Sequence, residues 1–225
     1  WEETNGTSLA TGLQTVAGVG TTQNIEWTLP GDMLPEGMSA HLAYTPRAGA
    51  GVTNDKSASG DTGTSGGGYD IALSHSGLVD GLEIFAGRSV IEQDAAVGTG
   101  PSGDRTQYVY GATYAIGSVT LGYQESRDNL QATAVGAVTS YYSNKAFGVS
   151  FNVNDNLSLS YGNHKSDRNL NSGGSVELEA ESLQLAYTMG GMSIKVAEST
   201  VDNGSYTSGT GKDRDGTTLA LTLAF

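Results

Sequence analysis

The sequence predicts an all-β fold, a transmembrane antiparallel up-and-down β-barrel wall of about eleven strands. Three observations predict it. First, the closing segment alternates strictly. Thr217, Leu219, Leu221, Leu223 and Phe225 fall on one side, and Thr218, Ala220, Thr222 and Ala224 on the other. An apolar face backed by a small, weakly polar one suits a strand between lipid and a watery interior. Second, the same period-two pattern recurs from about residue 22 to the end, always with the large side chains on one face. Third, the connections alternate between short and long.

Taken in order, the apolar faces are Ile25, Trp27, Leu29; Met38, Ala40, Leu42, Tyr44; Tyr69, Ile71, Leu73; Leu82, Ile84, Ala86; and Tyr108, Tyr110, Ala112, Tyr114, Ile116. They continue through Val119, Leu121, Tyr123; Phe147, Val149, Phe151, Val153; Leu157, Leu159, Tyr161; Leu183, Leu185, Tyr187, Met189; and Met192, Ile194, Val196 before the closing strand. No stripe at i, i+3, i+4, i+7 persists, so little helix is expected. The short connections are Gly31–Glu36, Gly77–Gly81, Gly117–Ser118, Asn154–Asn156 and Gly190–Gly191. The long ones are Arg47–Gly67, Asp94–Gly103, Asn129–Val138, Asn169–Ser175 and Asp202–Lys212. Counting back from Phe225, every short turn falls at the same end of the sheet, as in outer-membrane barrels with short periplasmic turns and longer outer loops.

The opposite faces are small or polar, for example Ser39, His41, Ala43, Thr45 in one segment and Ser158, Ser160, Gly162, His164 in another. A soluble β-sandwich needs two apolar layers that meet, and only one is present. Lipid supplies the missing partner, and closure of the sheet removes its edges. Two details conflict with strict parity. Phe85 falls on the polar face, which calls for a bulge near Glu83. Glu177, Glu179 and Glu181 fall on the apolar face, which requires that they lie beyond the hydrocarbon band or follow a register shift.

Composition narrows the function. Of 225 residues, 37% are hydrophobic and the formal charge is −13, so phosphate backbones find no basic surface and nucleic acid is not an expected partner. No apolar run is long enough for a transmembrane helix. Cysteine is absent, which excludes a disulfide framework and thiolate metal ligation within this sequence. There are 33 glycines, which suits many turns and close backbone approaches, and 11 tyrosines against 4 phenylalanines. Tyrosine collects at membrane interfaces, where its ring is buried and its hydroxyl stays wet.

Trp27–Pro30, the turns Leu34–Met38, Gly77–Leu82 and Gly117–Leu121, the run Tyr187–Ile194 and the closing Thr217–Phe225 together resemble Gram-negative general porins, most closely those of marine alphaproteobacteria. The resemblance spans nearly the whole chain. It implies an integral outer-membrane barrel of about 16 strands, a homotrimer set in lipid and lipopolysaccharide, with a water-filled pore for ions and small hydrophilic solutes. It makes Phe225 the assembly signal. It also implies a single porin domain over 1–225, with barrel strands over 22–225 and about five amino-terminal strands lacking. Residues 1–21 would then be the end of a constriction loop that folds into the pore, with Glu2 and Glu3 at the constriction. The alternative is a complete barrel of about twelve strands in which Ser8–Ala17 supplies the extra one. Truncation is favoured, because Thr7–Val19 lacks a lipid-grade face.

Charges on the polar face act over short, poorly screened distances in a narrow aqueous pore. Glu26, His41, Asp70, Arg105, His164 and Lys195 are the pore-lining candidates, although each, taken singly, reads more readily as a solvated wall residue. None of the three histidines has a Ser or Asp spacing that suggests a nucleophilic pair, so no catalytic residue, cofactor or metal is expected. A non-conducting surface or adhesive barrel is the competing reading, and a soluble β-sandwich binding module is the third.

Overall fold

In a computed structural model of the chain, the described residues are 16, 18–19, 24–46, 65–93, 103–131, 138–209 and 211–223. They form one eleven-stranded antiparallel sheet in sequential order, with every strand hydrogen-bonded to its neighbour in the chain. The strands are β1 Ile25–Thr28, β2 Met38–Thr45, β3 Ser65–Ser76, β4 Leu82–Gln93, β5 Arg105–Ile116 and β6 Val119–Asn129, followed by β7 Thr139–Asn152, β8 Leu157–Leu170, β9 Ser175–Met189, β10 Met192–Asp202 and β11 Arg214–Leu223. The only helical turns among the described residues are the 3₁₀ segments Gly31–Met33 and Gly204–Tyr206. β1 and β11 do not pair with each other, so the sheet has two edges. Among the described residues there is no second sheet of the kind a sandwich requires.

The register keeps the two faces separate across the whole sheet. One row runs Phe151, Leu159, Leu185, Val196, Leu219 through β7 to β11. Another runs Tyr44, Tyr69, Val90 through β2 to β4. Except for Val90, which is buried, these side chains are uncovered: Leu219 is 73% exposed and Tyr44 55%. Eleven strands at ~4.8 Å spacing, with an apolar band ~20 Å tall, present roughly 1,000 Å² of apolar face. Soluble monomers keep such patches to roughly 300–600 Å².

The sequence explains the tight turns. Gly117 (φ +59°) and Gly190 (φ +58°) take left-handed backbone at the two-residue hairpins, a conformation that costs glycine little. In the β7–β8 turn, the Asn154 side-chain oxygen accepts from the backbone N–H groups of Asn156 and Leu157 at 2.9 and 3.0 Å, an Asx turn.

Two expectations are corrected. No bulge lies near Glu83, because the β4 register is unbroken from Leu82 to Ile91 against β5. Phe85 is accommodated on the polar face because it pairs with Gly111, whose missing side chain leaves room for the ring. The Asn169–Ser175 connection is not long: β8 and β9 continue to Leu170 and from Ser175, leaving four residues between them. The period-two pattern of Val176–Glu181 carries the strand on, and its polar outer residues belong to a hairpin that rises past the apolar band.

Candidate functional site

On the polar face the sheet gathers buried polar side chains into ordered contact across several strands. Perpendicular to the strands, the register aligns Asp70, Ser89, Gln107 and Asp128 on β3 to β6. Asp128 is fully buried and holds Arg105 in a two-pronged ion pair, with Arg105 Nε donating to Oδ1 at 2.8 Å and Nη2 to Oδ2. Such paired geometry fixes the guanidinium and satisfies the carboxylate together. Beside this row, Asn144 donates to Ser126 Oγ at 3.0 Å and accepts from Ser166 Oγ. Ser182 and Ser199 pair at 2.9 Å.

A segment preceding β1 lies against this wall. The Gly18 N–H donates to Gln107 Oε1 at 2.8 Å, and the Val19 N–H donates to Asp70 Oδ2 at 2.9 Å. Val19 is buried over Gly68, where a side chain would meet Val19 Cγ1 at 2.8 Å. Backbone amides that leave water need acceptors, and Asp70 on β3 and Gln107 on β5 supply them from either side of β4. A pocket of about 180 Å³ lies there, bounded by Val16, Gly18, Asp70, Gly87, Ser89 and Gln107 among others.

The opposite face shows where its apolar band ends. Tyr110 and Tyr123 both donate their hydroxyls to Glu125. Tyr161 donates to Glu181 at 2.6 Å. Beyond this line Lys165 pairs with Glu179 at 3.0 Å, and Asn163 donates to both Glu179 and Glu181. The β8–β9 and β9–β10 registers carry no shift there, so Glu177, Glu179 and Glu181 do lie on the apolar side, above a belt of tyrosines. A ring in lipid with its hydroxyl turned to a wet carboxylate is the interfacial arrangement.

Solved structures share this architecture. OmpF of Salmonella typhi, in a complex with daunomycin, matches at 13% identity with a TM-score of 0.66, over 88% of this chain and 61% of that one. An anion-selective porin from Comamonas acidovorans matches at 14% identity and 0.65, over 90% and 59%. The outer-membrane channel DcaP of Acinetobacter baumannii matches at 14% and 0.59, over 88% and 61%.

The fold is that of a porin wall.

At these identities the likeness is one of fold, and the chain spans about three fifths of the length of the structures it matches. No protein-family model and no curated protein matches the sequence.

On this porin-type wall the predicted residues are dispersed. Glu26 and His41 sit on neighbouring strands β1 and β2, where Glu26 accepts from Asn24 at 3.2 Å and His41 Nδ1 shares a hydrogen bond with Thr28 at 2.9 Å. Asp70 docks Val19, and Arg105 is engaged by Asp128, so neither simply faces open water. His164 is paired in register with Ala146 and Ala180, and Lys195 with Ala186 and Ala220. Glu2, Glu3 and Phe225 lie outside the described residues, as do most of Ser8–Ala17 and Arg47–Gly67. Gln107 and Asp128 are the contributors that sequence reading missed. Inward parity in β5 and β6 was their only signal, and it marks a residue's face without marking its partner.

Proposed function

We propose that the protein is an outer-membrane porin, an integral barrel that lets ions and small hydrophilic solutes diffuse passively through a water-filled lumen, without chemistry and without a cofactor. The observation that carries this is the two-faced sheet. Among the described residues most large side chains of its apolar face are exposed, and its polar face bears small side chains and hydrogen-bonded charges, the wall that water requires. Long connections would face outward and short turns the periplasm. The fold likeness to OmpF and to an anion-selective porin supports the reading.

β1 and β11 run in the same direction, so an antiparallel barrel containing them needs an odd number of further strands between its edges. Five such strands would give the 16 that the alphaproteobacterial resemblance implies, with this chain as the carboxy-terminal portion. One would give twelve. We favour sixteen in a homotrimer set in lipid and lipopolysaccharide. The Gly18–Val19 docking on Asp70 and Gln107 is how the end of a constriction loop would be pinned to the wall.

Liposome swelling tests the function. Vesicles carrying the full-length protein are expected to swell in isotonic small sugars and progressively less as the sugar grows. Equal impermeability to all sugars from correctly inserted protein would remove the diffusion reading and favour a closed surface barrel.

A further inference from the structure

A water-lined wall has no use for a buried apolar patch, yet this one carries one. Leu178 and Ala180 on β9 and Val201 on β10 are on the polar face and are fully buried, with Val176 and Tyr142 packed beside them. What covers them is Tyr206, from the connection between β10 and β11. Its ring packs against Tyr142 at 5.1 Å between centroids, and the Arg168 guanidinium lies 5.8 Å from its centre. Its hydroxyl is 2.6 Å from Ser166 Oγ. Ser166 gives its own proton to Asn144, so Tyr206 is the donor, and the relay runs Tyr206, Ser166, Asn144, Ser126 across β8, β7 and β6.

The loop is built to reach that position. Asn203, Ser205 and Tyr206 all hold left-handed backbone, at φ of +53°, +59° and +54°. Non-glycine residues adopt this region at a cost that surrounding contacts must offset. Here the Asn203 N–H donates to Asp213 at 3.0 Å, its side-chain amide donates to the Glu177 carbonyl at 2.9 Å, and the Gly204 N–H donates to the Lys212 carbonyl at 3.0 Å. The chain therefore turns back over β9 rather than continuing away from the sheet. Ser205 is left exposed at the crest while its neighbours Gly204 and Tyr206 are buried.

We infer that this loop is a fixed ledge inside the outer mouth of the pore, and that Tyr206 is the residue that positions it. The ledge narrows the permeation path on the β7–β10 side, separately from the Gly18–Val19 segment docked on β3–β5. The inference rests on the pore reading above, and the test separates the two.

The sequence has no cysteine, so single thiols report cleanly once any elsewhere in the full-length protein are removed. Ser205→Cys in planar bilayers, treated with a bulky membrane-impermeant methanethiosulfonate, is expected to lower single-channel conductance by roughly a fifth or more, because current follows the open cross-section. Leu178→Cys is expected to react at least roughly tenfold more slowly with the same reagent than Lys195→Cys, and to lose that protection when Tyr206→Ala is added. Tyr206→Phe, which keeps the ring and removes only the hydroxyl, is the milder variant should Tyr206→Ala not assemble, and should give partial loss of protection. Unchanged conductance after Ser205→Cys modification verified by mass overturns the ledge and leaves the pore standing. A Leu178→Cys thiol as reactive as Lys195→Cys overturns the docking. An inserted protein that conducts nothing overturns the pore reading and the ledge with it.

Discussion

Leu159 and Ser160 are adjacent in β8 and point to opposite faces, so one substitution at each position tests the assignment of faces. Leu159 lies at the middle of its apolar stretch, between Leu157 and Tyr161, paired with Phe151 and Leu185 and 39% exposed. Ser160 pairs with Ser150 and Gln184. Arginine on the lipid face near the bilayer midplane costs ~2–4 kcal/mol, and about 0–1 near the interfaces. The Leu159 row on β9 to β11 is Leu185, Val196 and Leu219, so the new guanidinium finds no carboxylate at that height. The nearest acidic side chain along β9 on that face is Glu181, two outward positions away. Leu159→Arg should therefore take most of the penalty, about 3 kcal/mol, a factor of about 100 in the folding constant. Ser160→Arg places the same group in water and should cost less than about 1 kcal/mol. The assay is reversible denaturant unfolding of the full-length protein in lipid vesicles, followed by tryptophan fluorescence. Equal losses at the two positions, or a larger loss at Ser160, would refute the assignment of faces.

Other consequences follow from the polar wall. Asp128→Asn removes the carboxylate that holds Arg105, which is 29% exposed while Asp128 is fully buried. It should destabilise by ~1–3 kcal/mol, and the freed guanidinium should move the reversal potential in a salt gradient towards anions. Gly111→Ala should cost about 1–3 kcal/mol in the same unfolding assay, since the added carbon would meet Phe85 Cζ at 2.6 Å and the Tyr123 carbonyl at 2.4 Å; a neutral result would mean that Phe85 is not seated over that glycine. Asp70→Ala with Gln107→Ala removes both acceptors of the Gly18–Val19 amides. Liposome swelling in a mid-sized sugar should then rise roughly twofold as the pore widens, and no change would mean that the segment does not border the path.

How much of this was legible in the sequence depends on the range of the interaction. Face assignment follows from period two, a one-strand property. The register accordingly puts Trp27 with Leu42, and Tyr123 with Ala112 and Phe147, on one side as read. Phe85 and the β9 glutamates looked like faults because parity was judged strand by strand. Phe85 is explained by Gly111 on the next strand, and the glutamates by Tyr161, Asn163 and Lys165 on β8. Leu178 and Val201 were hidden for the same reason. An apolar residue on a polar face has no meaning until the ring that covers it is known, and Tyr206 reaches it from a connection whose Gly- and Ser-rich composition reads only as a loop. For dispersed charges such as Glu26, His41 and Lys195, parity gives a face only, and side-chain partners across strands decide what each can do, as Asp128 does for Arg105.

The most direct test of the central claim is single-channel recording of the full-length protein in a planar bilayer. The account predicts large ohmic steps that close in thirds under voltage, as a trimer of water-filled pores would. Verified insertion without any conductance would contradict it.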